Sequence, residues 1–283
     1  MRYAHAMATS VRPVGAQLRE WRQRRRLSQL ALACDVEMST RHLSFVETGR
    51  STPSRATILR LADRLAVPVR DRNVLLVAAG YAPVFPERAL DDPALERARQ
   101  LIGVMLEAQK PYPAFALDRH WRVVASNAAL PELYVGVAEP LLKPPLNGIR
   151  LTLHPDGMAP RIVNLGEWRE HMLARLRHQI DLTADPVLIE LLREILDYPA
   201  PAADQANRGD TPPDAIAVPF RVRTNAGVLS FLSTTTVFGT PVDVTLAEIA
   251  LESFYPADAA TVETVQRIER ARGGRGQRRG SRG

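Results

Sequence analysis

The sequence predicts a multidomain chain, with an all-α five-helix domain followed by an α+β domain built on an antiparallel sheet. Three observations predict it. Apolar residues recur at helical spacing from Val14 to Ala79, interrupted by cap and turn residues. Beyond Pro111 the pattern changes to short alternating runs, at 115–118, 121–126, 216–224 and 227–238. Charge divides at the same places. Residues 1–80 carry 14 Arg and 6 acids, residues 81–266 carry 16 basic and 24 acidic residues, and residues 267–283 carry 7 Arg and one Glu. A formal net charge of +6 therefore conceals a basic head, an acidic body and a basic tail.

Residues 1–13 read as a flexible N-terminus and residues 14–80 as the helical domain. Its first helix holds Leu18 and Trp21 on one face and gathers Arg22, Arg24, Arg25 and Arg26 near its end, where cations suit the helix dipole. Ser28, Ser39 and Ser54 are N-caps for the second, third and fourth helices, and Pro68 ends the fourth. A fifth runs from Asp71 to Ala79. Residues 81–90, with two prolines, read as a linker. In the second domain, 91–266, Asp91 or Asp92 caps a helix that Pro111 and Pro113 stop. Two strands flank a turn at Arg119-His120, and a short helix follows at 128–134. Amphipathic helices cover 165–180 and 186–198, and an exposed loop spans 200–213. A hairpin turns at Asn225-Ala226-Gly227, a strand is expected over 244–254, and a helix over 257–271 closes the domain. Residues 267–283, rich in Arg and Gly, are expected to be disordered.

Composition narrows the function classes. At 46% hydrophobic and 24% charged, 283 residues support two packed domains and exclude wholesale disorder. One cysteine, Cys34, excludes an intramolecular disulfide framework and a Cys-based zinc site. No apolar run of membrane-spanning length and no cleavable leader is found, so the expectation is a cytoplasmic, nucleoid-associated protein with no membrane partner. No phosphate-cradling Gly-rich loop, nucleophile elbow or paired-His metal motif occurs, so no enzyme activity, cofactor or metal is expected. His171 and His178 share a helix face but have no third ligand at telling spacing, which favours a solvated or partner-facing helix.

The stretch from Gln29 to Thr48 is the most informative. Ala33 is small enough for a close helix crossing, and Leu32, Val36, Met38, Leu43 and Val46 fall where a helix-turn-helix turns side chains inward. One position departs from the pattern. The turn favours a left-handed glycine and here carries Glu37, at a cost of about 1 kcal/mol. The third helix leaves Thr40, Arg41, Ser44 and Phe45 on the face that enters a major groove. With the flanks Leu27-Ser28-Gln29, Glu47-Thr48-Gly49-Arg50, Pro53-Ser54 and Leu65-Ala66-Val67-Pro68, this region resembles the XRE (lambda-repressor-like) DNA-binding family. The run Arg41-His42-Leu43-Ser44-Phe45-Val46-Glu47-Thr48-Gly49-Arg50-Ser51 is similar to the MmyB-like branch.

The resemblance implies double-stranded DNA as partner. Gln29, Arg50 and Arg55 then become phosphate contacts that set register, and Thr40, Arg41, Ser44 and Phe45 the base readers. Arg41 has the chemistry to grip guanine with two hydrogen bonds. Phe45 either touches a thymine methyl or packs against the first helix. His42 is expected to pack or meet the backbone, and Glu47 to pair with an arginine inside the domain.

The second domain carries the resemblance further, through Pro113-Ala114-Phe115, Leu117 to Trp121, Asn127, Leu153-His154-Pro155-Asp156-Gly157, Arg161 to Leu165, Leu229-Ser230-Phe231 and Ser233 to Pro241. These are similar to the MmyB-like ligand-binding domain, which implies a PAS-like sensor, with helices over one face of a small antiparallel sheet, for a small molecule. The candidate ligand residues are the aromatics Trp121, Trp168, Phe220, Phe231 and Phe254, with Asn127, His154 or Thr235 orienting a polar head. The ligand expected is apolar or lipid-like, and the regulator a homodimer on a two-fold operator. Two alternatives stay open: a constitutive DNA-binding protein whose second domain only dimerises or meets a protein, and a fused enzyme. The tail either adds unspecific phosphate affinity or is a solvated terminus.

Overall fold

The computed structural model describes residues 12–199, 217–239, 241 and 243–280. The chain divides into two compact units whose main boundary lies between Arg88 and Ala89, with the short segments 181–183 and 242–244 grouped with the first. The first is helical: α1 (Val14–Arg24), α2 (Gln29–Asp35), α3 (Thr40–Glu47), α4 (Arg55–Arg64) and α5 (Val69–Ala78). The side chains of Ser28, Ser39 and Ser54 accept hydrogen bonds from Ala31, His42 and Thr57 backbone N–H groups, so the three expected caps are in place. Leu18, Leu32, Ala33, Val36, Leu43, Val46, Ile58, Leu61 and Leu75 form its core.

All five helices end alike. A residue at positive φ follows each, namely Arg26, Glu37, Gly49, Ala66 and Gly80. The next N–H then reaches back five residues, from Leu27 to Arg22, Met38 to Ala33, Arg50 to Phe45, Val67 to Ala62 and Tyr81 to Leu76. Glu37 is left-handed as expected, at φ 52°. Glycine matters elsewhere too. A Cβ on Gly15 would lie 2.1 Å from the carbonyl oxygen of Val46, so only glycine lets α1 meet the end of α3. The predicted linker begins later than 81. Tyr81 and Val84 pack on the helical core, and the Asn73 amide binds both N–H groups of Val84 and Phe85 and the carbonyl of Phe85. A fixed amide here outweighs the two prolines that suggested a free connection.

In the second unit, Asp92 caps a short 3-10 turn that leads into α6 (Glu96–Ala108). Then come β1 (Ala114–Leu117), β2 (Val123–Ser126), α7 (Gly148–Leu153), α8 (Leu165–Thr183), α9 (Pro186–Asp197), β3 (Phe220–Thr224), β4 (Gly227–Val237), α10 (Val244–Ala247), β5 (Ala250–Pro256) and α11 (Ala259–Gly280). The strands form one antiparallel sheet in the order β2-β1-β5-β4-β3. The β3–β4 hairpin turns at Asn225-Ala226, with Thr224 opposite Gly227.

Register sorts the side chains. Phe220 pairs with Phe231, Phe254 with Ser233, and Phe115 with Glu252, all on one face. Trp168 of α8 lies against that face. Ala114, Ala116 and Leu251 point to the other, where Ile102 and Leu106 of α6 pack. Helices thus cover both faces rather than one, because the alternate positions of β1 are alanines that let α6 sit close.

Three further expectations are corrected. Residues 244–247 form a helical turn before the strand begins at Ala250, since an apolar run this short satisfies either period. The run at 128–134 is 3-10 over Leu130–Tyr134. The last helix continues to Gly280, so most of the 267–283 segment expected to be disordered has helical backbone; its arginines are good helix formers between the glycines. The loop expected at 200–213 lies outside the described residues.

Candidate functional site

The outer face of α3 is built from within. Glu47, at the last turn of α3, is buried and receives Arg22 of α1 in a two-pronged ion pair, Nε to Oε1 at 2.6 Å and Nη2 to Oε2 at 2.8 Å. Arg22 also donates to the Leu27 carbonyl at 2.8 Å. The Nε2 of Gln29 donates to the same Oε2 at 2.8 Å. Burial alone would push the Glu47 carboxyl up, but the hydrogen bonds from Arg22 and Gln29, with the charges of Arg22 and Arg19, hold it below the usual carboxylate range. Glu47 therefore pairs with an arginine inside the domain, and that arginine is Arg22. One carboxylate ties α1, the first residue of α2 and the end of α3 together. Gln29, predicted to touch phosphate, is held in place by this cluster, and an amide nitrogen has a second hydrogen to offer.

Arg41, Arg50 and Arg55 are exposed, while Thr40, Ser44 and Phe45 are half-buried. The Phe45 ring lies beneath two cations, with the Arg41 guanidinium 5.4 Å and that of Arg50 5.9 Å from its centroid. Phe45 thus links a predicted base reader to a predicted phosphate contact, a role the sequence did not suggest. His42, expected to pack or to meet the backbone, is exposed on the same helix. Arg55 is the first residue of α4, where a cation opposes the helix dipole and an incoming anion relieves it. The predicted DNA contacts therefore lie on α3, on the loop after it and at the starts of α2 and α4, on a frame fixed by the Arg22–Glu47 pair.

In the second unit the predicted ligand residues separate into two sets. Four aromatics come together: Trp168 to Phe220 at 4.9 Å between centroids, Phe220 to Phe254 at 5.8 Å and Phe231 to Phe254 at 6.1 Å. They pack on one another in the main core. The buried Trp168 Nε1 has no hydrogen-bond partner among the described residues. The others are engaged elsewhere. Trp121 donates to Gln179 Oε1 at 2.8 Å, with the Arg175 guanidinium 4.9 Å from its ring.

The polar three brace the fold. Asn127 is 1% exposed, and its amide is fully used. Its Oδ1 accepts from Ala114 and Ala129, and its Nδ2 donates to the Leu106 and Tyr112 carbonyls. The His154 Nδ1 accepts from Asp156 N–H at 3.0 Å and its ring meets Tyr198 edge-on, which braces the turn. Thr235 is exposed and donates to Glu252 at 2.8 Å. His171 lies beside Trp168, and burial, then the nearby Arg175 charge, pushes its pKa down. Among the described residues no group of three or more metal-ligating side chains gathers.

The MmyB-like transcription regulator ligand binding domain matches residues 98–268, and a helix-turn-helix domain matches residues 13–75. The chain belongs to the MmyB-like transcription regulators. It is a transcription regulator with a helix-turn-helix DNA-binding domain and a ligand-binding domain. A curated relative, the uncharacterized HTH-type transcriptional regulator RghRB of Bacillus subtilis (strain 168), is 43% identical over 76 residues, 26% of this chain and 52% of the relative. The match thus spans about half the length of that relative. A solved structure titled "Structure of an RNA-binding Light-Oxygen-Voltage Receptor" covers 96% of this chain and 70% of its own at 14% identity, with a TM-score of 0.25, too low to carry an argument. Among the described residues no helix is long and apolar enough to cross a membrane.

Proposed function

We propose that this regulator binds a two-fold operator as a homodimer in the cytoplasm, on the nucleoid, and that a small ligand with a largely apolar body, held by the second domain, sets its affinity. The single observation that supports the DNA arrangement is the face of α3. It presents Arg41 over Phe45, with Thr40 and Ser44 half-buried, so one head touches few base edges. Two heads on half-sites one helical turn apart, about 34 Å, supply the rest. The ligand acts by preferring one arrangement of the second domain, and so one spacing of the heads. The second domain binds rather than catalyses.

A second reading, a constitutive DNA-binding protein whose second domain only dimerises or meets a protein, draws support from the ring-to-ring packing of Trp168, Phe220, Phe231 and Phe254. Footprinting of the purified protein across its genome, followed by operator titration with and without small-molecule extracts, separates the two. Two-fold sites whose affinity shifts with extract support the first reading. Sites without symmetry, or an affinity that no extract moves, refute it.

A further inference from the structure

A cavity of about 340 Å³ lies in the second domain, away from the aromatic residues predicted to hold a ligand. One end of β3 and its hairpin turn supply Arg223, Thr224, Asn225 and Ala226. Opposite stand Leu133, Val135 and Arg161, with Leu229 and Ile268 completing an apolar wall. The segment bearing Arg161 is fixed against β3, because Ile162 bridges Val222 and Val163 N–H donates to the Arg221 carbonyl at 2.8 Å.

The charge inside is unusual for its surroundings. Residues 81–266 carry 24 acidic and 16 basic residues, yet among the described residues the lining of this cavity has two arginines and no carboxylate. Arg161 is half-buried, and its only partner among the described residues is neutral, the Leu133 carbonyl at 2.5 Å. That bond aims the fork while leaving most of its five N–H donors for something else. Burial pushes the Arg161 pKa down, the mark of a cation without a counter-charge. The Arg223 guanidinium has no hydrogen-bond or ion-pair partner among the described residues. Two other arginines of the domain meet acids, Arg150 with Glu194 and Arg175 with Glu252, while Arg169, like Arg161, meets carbonyl oxygens.

We propose that this cavity is an anion site: it takes a compact organic carboxylate whose charge lies between Arg161 and Arg223 and whose apolar body rests on Leu133, Val135, Leu229 and Ile268. A planar carboxylate matches the two-pronged guanidinium fork, and the volume is at the small end for ligand pockets. The inference rests on the reading of the second domain as a ligand sensor and narrows it by adding a negative charge and a size limit.

The test uses the full chain, with benzoate and phenylacetate as probes, their primary amides as neutral twins, and inorganic phosphate as the bare anion. Binding is read by calorimetry and by saturation-transfer NMR, with a melting curve for every variant. At least one carboxylate is expected to bind, its amide about tenfold or more weaker, and phosphate weaker still. Arg223→Gln, at an exposed position, is expected to weaken the carboxylate about fivefold or more with unchanged melting. Arg161→Lys, which keeps charge and loses the fork, should fall between that variant and the parent. The proposal is overturned if neither carboxylate binds in the millimolar range, if an amide matches its acid, if phosphate binds as well as the carboxylates, or if Arg223→Gln binds like the parent. Operator affinity measured with the bound carboxylate tells the two ideas apart. Binding without any effect on the operator keeps the site and removes ligand control through it. An operator response to some other compound, with both arginine variants silent, does the reverse.

Discussion

Replacing Glu47 with alanine tests the frame on which the DNA face is built. The change removes the acceptor of two Arg22 bonds, at 2.6 and 2.8 Å, and of the Gln29 bond at 2.8 Å. Arg22, 9% exposed, is left as a buried cation whose one remaining partner among the described residues is the Leu27 carbonyl. Breaking a buried pair from one side costs about 3–5 kcal/mol, because the surviving charge is stranded. A head of this size, at about 0.05–0.15 kcal/mol per residue, has about 3–10 kcal/mol in all. Glu47→Ala should therefore remove a large part of its stability, while the double variant Arg22→Met with Glu47→Leu, which strands nothing, should recover most of it.

Native-state hydrogen exchange of the intact protein, read at α1 and α3 amides, measures the opening free energy of the head alone. A pH series adds an independent check. The folded carboxyl of Glu47 is held below its unfolded value, so its contribution is complete above the unfolded pKa of about 4.3 and fades as pH falls through the folded one. Glu47→Gln should flatten that acid-side loss. A Glu47→Ala head within about 1 kcal/mol of the parent, or a double variant no better than the single, would refute the stranded-charge reasoning.

Other outcomes follow from the same geometry. Glu37→Gly should stabilise the head by about 1 kcal/mol, since it removes a side chain from φ 52°; a rise in melting temperature of about 4–8 °C reports it, and an unchanged or lower value denies it. Gly15→Ala should cost about 1–3 kcal/mol by forcing α1 off the Val46 carbonyl, measured by the same exchange. In sequence-selection assays Arg41→Ala should flatten one motif position, while Arg50→Gln weakens all sequences evenly and lowers the salt slope by about one. Phe45→Ala, which removes the surface under both arginines, should blur the Arg41 position as well; loss of a separate thymine preference instead would make Phe45 a reader in its own right. Asn127→Leu, which deletes four internal bonds, should lower the melting point of the second domain, and unchanged melting would contradict its bracing role.

How much of this was legible depends on the distance over which each feature acts. The three serine caps and the strained Glu37 turn were readable because capping and handedness are settled within about six residues. So was the hairpin at Asn225-Ala226-Gly227. The helix α7 went unread although Asn147 signals it locally, by accepting from the Ile149 and Arg150 N–H groups. The predicted ligand residues were harder to read for another reason. An aromatic that lines a cavity and one that packs on its neighbours have the same sequence signature, and the bonds that occupy Trp121 and Thr235 come from Gln179 and Glu252, far along the chain. Arg161 and Arg223 left no local trace either, since bonds between distant stretches, such as Ile162 to Val222 and Val163 to Arg221, bring their segments together.

The five matching helix ends also bear on time. Each reversal is complete within a few residues, so the turns of the head are set by near neighbours, with a few longer ties such as Arg22 to Glu47. The second domain is the opposite: β1 reaches its partner only when Phe115 meets Glu252. Low contact order favours folding in microseconds to milliseconds, and such distant pairing slows it. A chain that loses its structure should therefore regain a head able to grip DNA well before it regains a domain able to sense anything.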